Sequence, residues 1–149
     1  MRYWEDFHVG DVTEIGPVDV DRDEIVEFAR RYDPQPFHVD EKAAADGPFG
    51  GLAASGWHTA AIFMGMFVRS ILVDSASMGS PGVEELRWTA PVRPGDRLTG
   101  RVTVTAAEPS RTRPDRGTIF TTNEVLNQDG TVVMTLKARG FFRRRNAAA

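Results

Sequence analysis

Asp33 and His38 stand five positions apart in the run Tyr32-Asp33-Pro34-Gln35-Pro36-Phe37-His38. A carboxylate and an imidazole on one stiff segment can hold the same water. One removes its proton while the other delivers a proton to a substrate. Pro34 and Pro36 supply the stiffness: each fixes its own φ and drives the residue before it out of α geometry. Stiffness matters because catalytic groups lose rate when displaced by about an ångström. Pattern alone leaves a second reading open, since an Asp after a helix and a His in a loop are often purely structural.

A second group of residues runs from Gly50-Gly51 to Ser55-Gly56-Trp57-His58, where a long apolar helix begins. Free amides at a helix start point out of it, and the helix dipole favours negative charge there. A carbonyl placed at Gly56 is polarised, and the oxyanion that develops during proton transfer is stabilised. Glycines that merely permit tight packing are the equal alternative. His8, His38 and His58 lack the spacing of metal ligands, so no metal site is expected. Ser55 precedes a glycine without the strand–turn–helix context of a nucleophile elbow, which argues against a serine hydrolase.

These groups need a scaffold, and composition bounds it. The 149 residues suit one domain, 1–149, with 1–6 and 143–149 expected as flexible ends. A net charge of −3 gives no reason to expect nucleic acid or an anionic membrane as partner. Arg143-Arg144-Arg145 reads as a solvated tail, with contact to ligand phosphates as the alternative. The absence of cysteine excludes disulfides, thiolate nucleophiles and cysteine–zinc sites, and fits a reducing compartment. The N-terminus lacks the basic-then-apolar order of a signal peptide. The apolar run Ala60–Val73, interrupted by Gly65 and Arg69, is too short to span a bilayer. A cytoplasmic protein is expected.

Val12–Ile15 reads as a short strand that Gly16-Pro17 interrupts. Asp21, with Glu24 three residues on, marks a helix start. Ile25, Phe28, Ala29 and Tyr32 repeat at helical spacing, so that stripe should face a core. Pro34 ends the helix, and Asp33–His38 is expected as an extended loop. A short helix from about Asp40 to Asp46 should stop at Gly47. The helix from Ser55 to about Val73 is apolar nearly all round and is expected to be buried. Strands follow over Val83–Val92, Arg97–Ala106, Thr118–Asn127 and Thr131–Phe142, expected as an antiparallel meander. In the second, Leu98, Gly100, Val102 and Val104 share one face. A sheet curled around one central apolar helix satisfies this order, an α+β hot dog arrangement. Its open edges invite pairing, so a dimer with a continuous sheet is expected.

Tyr32–His38 resembles the hydratase motif of the MaoC-like (R)-specific enoyl-CoA hydratases: Asp, any residue, Asn, Pro, an apolar residue, His. Asp33, Pro36, Phe37 and His38 match in register, and Gln35 replaces the Asn. Ser55-Gly56-Trp57 stands in place of the family's His-Gly-Met. Glu84–Trp88, Pro91-Val92 and Pro94-Gly95-Asp96 resemble the strand and turn after the central helix. The resemblance spans about Phe7 to Phe142. It implies Asp33 and His38 as the catalytic pair and the Gly56 amide as receiver of a thioester carbonyl. It also implies reversible hydration of a trans-2-enoyl thioester, with coenzyme A present only as part of the substrate and no other cofactor. Gln35, Ser55, Trp57 and His58 are then the further positions expected to meet substrate. For His58 a backbone-bonded helix-start histidine is the plainer reading. Trp57, Phe63 and Phe67 read as core, some of them able to line an acyl pocket. The family's supporting serine falls at Met64, which cannot donate that bond, so Thr59 or a water is expected to support Asp33. The implied assembly is a homodimer or a dimer-based hexamer. A hot dog acyl-CoA thioesterase and a non-catalytic acyl-CoA binding module are the rival readings.

Overall fold

Helix α1, Arg22–Tyr32, starts where its cap requires, with the Asp21 carboxylate accepting the Glu24 amide. The computed structural model describes residues 1–146. After strand β1 (Val12–Asp19) and α1 come two short helices, α2 (Pro36–Val39) and α3 (Glu41–Ala45). The long helix α4 (Gly56–Phe67) continues as a π turn over Val68–Leu72. Strands β2 (Gly82–Trp88), β3 (Arg97–Pro109), β4 (Arg116–Leu126) and β5 (Val132–Arg143) complete the chain.

All five strands form one antiparallel sheet in the order β1-β3-β4-β5-β2. Alternation sets its inner face: Leu98, Gly100, Val102 and Val104 on β3 are all buried, as their spacing predicts. Ile62, Phe63 and Met66 of α4 join Leu98, Val102, Ile119, Val125, Met134 and Leu136 in one core. The expected α+β hot dog arrangement is therefore present, with α4 against the concave face.

Four details differ from the expectation. The meander has three strands, not four: β2 crosses to the far edge and pairs with β5, because the Thr89–Asp96 segment leads it past β3 and buries Val92. Gly16-Pro17 bulges β1 without ending it, shifting register between Ile15 and Val18. Asp33–His38 is not extended throughout. Pro36 opens α2, where its missing N–H is no loss, and places His38 on a helical turn. Finally, α4 is not buried all round: Trp57, Ala61 and Met64, continued by Val68 of the π turn, form an exposed apolar stripe along one side.

The ends, read as flexible, make defined contacts. Trp4 Nε1 donates to the Thr118 carbonyl at 3.2 Å, and its ring lies over Gly117. Glu5 and Asp6 pair with Arg144 and Arg145, so those arginines are engaged within the chain. The remainder of that expectation, residues 147–149, lies outside the described residues. Among the described residues no helix is long and apolar enough to cross a membrane.

Candidate active site

Asp33 caps the C-terminus of α1 with its amide still bonded to Ala29 O, and its backbone then leaves the helix at φ −154°, ψ 68°. Two tight bonds fold the chain back: Gln35 N to Asp33 O at 2.8 Å and His38 N to Gln35 O at 2.9 Å. His38 Nε2 consequently lies 3.4 Å from Asp33 Oδ2. That separation is long for a direct hydrogen bond and lets one water touch both atoms.

His38 is buried, and its other nitrogen, Nδ1, meets the Ala53 carbonyl at 2.6 Å. A carbonyl only accepts, so Nδ1 carries the proton and the neutral ring presents a lone pair at Nε2. Phe37 packs edge-on to the imidazole at 4.6 Å and to Phe49 at 5.3 Å, which keeps the ring in an apolar setting.

Asp33 is held by two donors: Ser55 Oγ to Oδ2 and Gln35 Nε2 to Oδ1, both at 2.7 Å. Burial pushes its carboxyl up, but these two bonds and the nearby His38 outweigh that and hold it below the ordinary aspartate value. Asp33 is therefore ionised through the neutral range. The support assigned to Thr59 or a water comes instead from Ser55 and Gln35. Thr59 is buried beside the cleft, and Met64 is half exposed further along α4. Ser55 does double duty, since its Oγ also accepts the Trp57 amide as the N-cap of α4.

Gly56 follows directly and contributes the first amide of α4, which meets no acceptor among the described residues. The Trp88 indole packs against Gly56 and leaves no room for a Cβ. Trp57 leans on Trp88 with ring centroids 5.1 Å apart and planes at 78°. Asp33, Gln35, His38, Gly56 and Trp57 all line one cleft of about 600 Å³.

His58 does not join them. It faces α1, stacked on Phe28 at 4.8 Å, with Nε2 3.3 Å from Glu24 Oε1. Both readings of it give way, because its partner is a side chain rather than backbone and it lies away from the cleft wall. Three aromatic cleft residues escaped the sequence reading: Tyr32, placed in the core stripe but 64% exposed, and Phe49 and Trp88. Their signal is tertiary, since Tyr32 ends α1, Trp88 ends β2 and Phe49 lies in the loop between α3 and α4. Phe67 lines a separate apolar cavity of about 160 Å³ between α4 and the sheet. Among the described residues no cluster of three or more His, Asp or Glu side chains suited to a metal ion occurs.

Residues 8–126 match the family model described as the MaoC like domain. The chain belongs to the MaoC-like domain family. A MaoC-like dehydratase from Rhodospirillum rubrum superimposes with a TM-score of 0.89 at 46% identity, over 96% of this chain and 97% of that one. A 3-hydroxybutyryl-CoA dehydratase of Methylorubrum extorquens is 33% identical over 118 residues, covering 76% of this chain and 70% of the relative. YdeM of Bacillus subtilis, an uncharacterised protein, is 32% identical over 107 residues, 72% of this chain and 76% of its own length.

The MaoC-like cleft makes one prediction through Ser55. Ser55→Ala removes a donor to an ionised carboxylate and a helix cap, so stability at neutral pH should fall by about 2 kcal/mol. Because the folded-state value of Asp33 is depressed, its contribution is complete above the unfolded aspartate range and fades as pH falls through the folded value. The deficit should therefore be largest near neutrality and shrink in acid to the capping part alone. Urea melts of both proteins from neutral to acid pH check this, and a deficit constant with pH would contradict it.

Proposed function

We propose that this MaoC-like protein hydrates a trans-2-enoyl thioester, of which enoyl-CoA is the favoured form, and runs the reverse dehydration. The observation that carries the reading is the convergence of an ionised Asp33, a lone pair at His38 Nε2 and the free Gly56 amide on one cleft. The thioester carbonyl docks on Gly56 N–H. Asp33 orients a water, and His38 Nε2 takes its proton as the water oxygen bonds to C3. The C2–C3 π electrons move into an enolate that the amide and helix dipole stabilise. The imidazolium, balanced by Asp33, then returns that proton to C2. The carbonyl acidifies C2, so the reaction needs no further cofactor. Oxygen and proton come from the same side because one water sits between the two groups.

The decisive experiment gives the purified protein crotonyl-CoA. Loss of the conjugated enoyl absorbance without thiol release supports hydration. Thiol release supports a thioesterase, and binding without turnover on a panel of short, medium, branched and dicarboxylic enoyl-CoAs supports a binding module.

The same reading includes a homodimer, alone or as the unit of a hexamer. Its support is the exposed stripe of α4 next to the open edge β2, where Val83 and Trp88 are also exposed. Antiparallel pairing of two β2 strands continues the sheet and covers both stripes. Sedimentation equilibrium at micromolar concentration should give twice the chain mass or a multiple of it, and a monomer there would remove this part.

A further inference from the structure

Arg93 lies in the turn that leads into β3, and the base of its side chain is fixed. Its backbone amide donates to the buried Asp96 carboxylate at 2.8 Å, which also accepts Gln128 Nε2 at 3.0 Å. From there the guanidinium reaches the loop that precedes α4. Nη1 donates to Gly51 O at 3.0 Å and to Leu52 O at 3.4 Å, and Nη2 donates to Phe49 O. Three carbonyls of one turn thus converge on one planar cation, a geometry suited to the fixed fork of arginine. The loop can present them because Gly50 adopts φ +63°, in the left-handed region.

The next carbonyl along this loop is that of Ala53, the acceptor for His38 Nδ1. One residue further, the Ala54 amide bonds Val92 O at 2.9 Å, beside Arg93 itself. Ala53 is therefore held between two ties to the same turn. Arg93 is not part of the cleft wall, so any effect it has on the reaction passes through this loop.

We propose that Arg93 is a positioning residue: by gathering the Phe49, Gly51 and Leu52 carbonyls it keeps Ala53 O on His38 Nδ1 and so reserves Nε2 as the proton acceptor. An imidazole without such a carbonyl samples both tautomers, and the form protonated at Nε2 cannot accept a proton from water. Loss of the clamp lowers the fraction of enzyme with a working base. The loop it releases also carries the cleft residues Phe49 and Ala53, while Arg93 makes no contact with the Gly56 amide.

The kinetic part rests on the hydratase reading, and the test separates the two. The chain has three histidines, so 15N-histidine NMR of the intact protein is simple to assign with a His38→Gln reference. The wild type should show His38 protonated at Nδ1. Arg93→Ala should show mixed tautomers, with kcat for crotonyl-CoA hydration lowered about ten- to a hundredfold, the usual scale for loss of an orienting partner, and KM changed by less. Arg93→Lys keeps the charge without the fork and should fall between. A folded Arg93→Ala protein with the native 15N pattern overturns the proposal, even if it melts at a lower temperature. If Arg93→Ala does not fold, Arg93→Lys and Arg93→Gln carry the comparison, and a native pattern in both overturns it equally. The 15N signals need no substrate. A tautomer change in a protein inactive on every enoyl thioester would leave the role of Arg93 standing and remove the hydratase reading. An unchanged tautomer in an active hydratase would do the reverse.

Discussion

Alanine at Asp33 or at His38 should each lower crotonyl-CoA hydration by about two to four orders of magnitude, the scale of general acid–base groups. Among the described residues His38 Nε2 is the one basic nitrogen facing Asp33 in the cleft, so its loss leaves the water without a proton acceptor. Loss of Asp33 removes the charge that orients the water and balances the imidazolium. Both groups act on one water, so the double variant should be little worse than the more damaging single one. Multiplying losses would mean two independent roles and would contradict the shared-water geometry. Stability has to be followed in parallel. His38→Ala strands the buried Ala53 carbonyl, a cost of about 1–3 kcal/mol. His38→Gln and Asp33→Asn keep hydrogen-bonding groups at the same places and are the better-folded comparisons. Either of them, folded by circular dichroism and hydrating at the native rate, would take that residue out of the mechanism.

What could be read from the sequence follows from how local each determinant is. The Asp21 cap and the alternation along β3 depend on residues a few positions apart, and both appear where expected. The proximity of Asp33 and His38 is likewise local, fixed by two prolines within six residues. The position of β2 is not local. Its pairing with β5 is decided by which edge the Thr89–Asp96 segment can reach, and hydrophobic pattern carries no information on that. The apolar surface of α4 showed that the helix meets apolar neighbours but not that one stripe stays open. Ser55 was noticed for its place before Gly56, while its bond to Asp33 joins positions 22 apart and needed the fold. His58 was misread for the opposite reason. The plainer reading gave it a backbone partner and the alternative gave it the substrate, but helical rotation turns it toward Glu24 and Phe28. Arg93 gave no signal in the sequence, because its partners lie more than forty residues earlier.

Gly56→Ala should be nearly as damaging as loss of the acid–base pair, for a steric reason. A Cβ there would overlap the six-membered ring of Trp88, a contact no side chain can make. Either the indole swings out, which its 44% exposure allows, or the first turn of α4 shifts. The second response moves the Gly56 amide and the neighbouring Ser55, and with Ser55 the support of Asp33. Overpacking of this kind costs about 1–3 kcal/mol of stability, and a misplaced oxyanion donor lowers the rate by about two to three orders of magnitude. The double variant Gly56→Ala with Trp88→Ala divides the causes. Removing the indole relieves the clash and lets the helix start return, so recovery of most of the lost kcat would identify the amide as the working group and Trp88 as its cover. A double variant still slow but fully folded would mean that the indole itself must seal the thioester from water. If Gly56→Ala hydrated crotonyl-CoA at the native rate although amide NMR shifts showed the first turn of α4 displaced, the carbonyl could not be docking at this amide, and the oxyanion site would have to be sought elsewhere in the cleft.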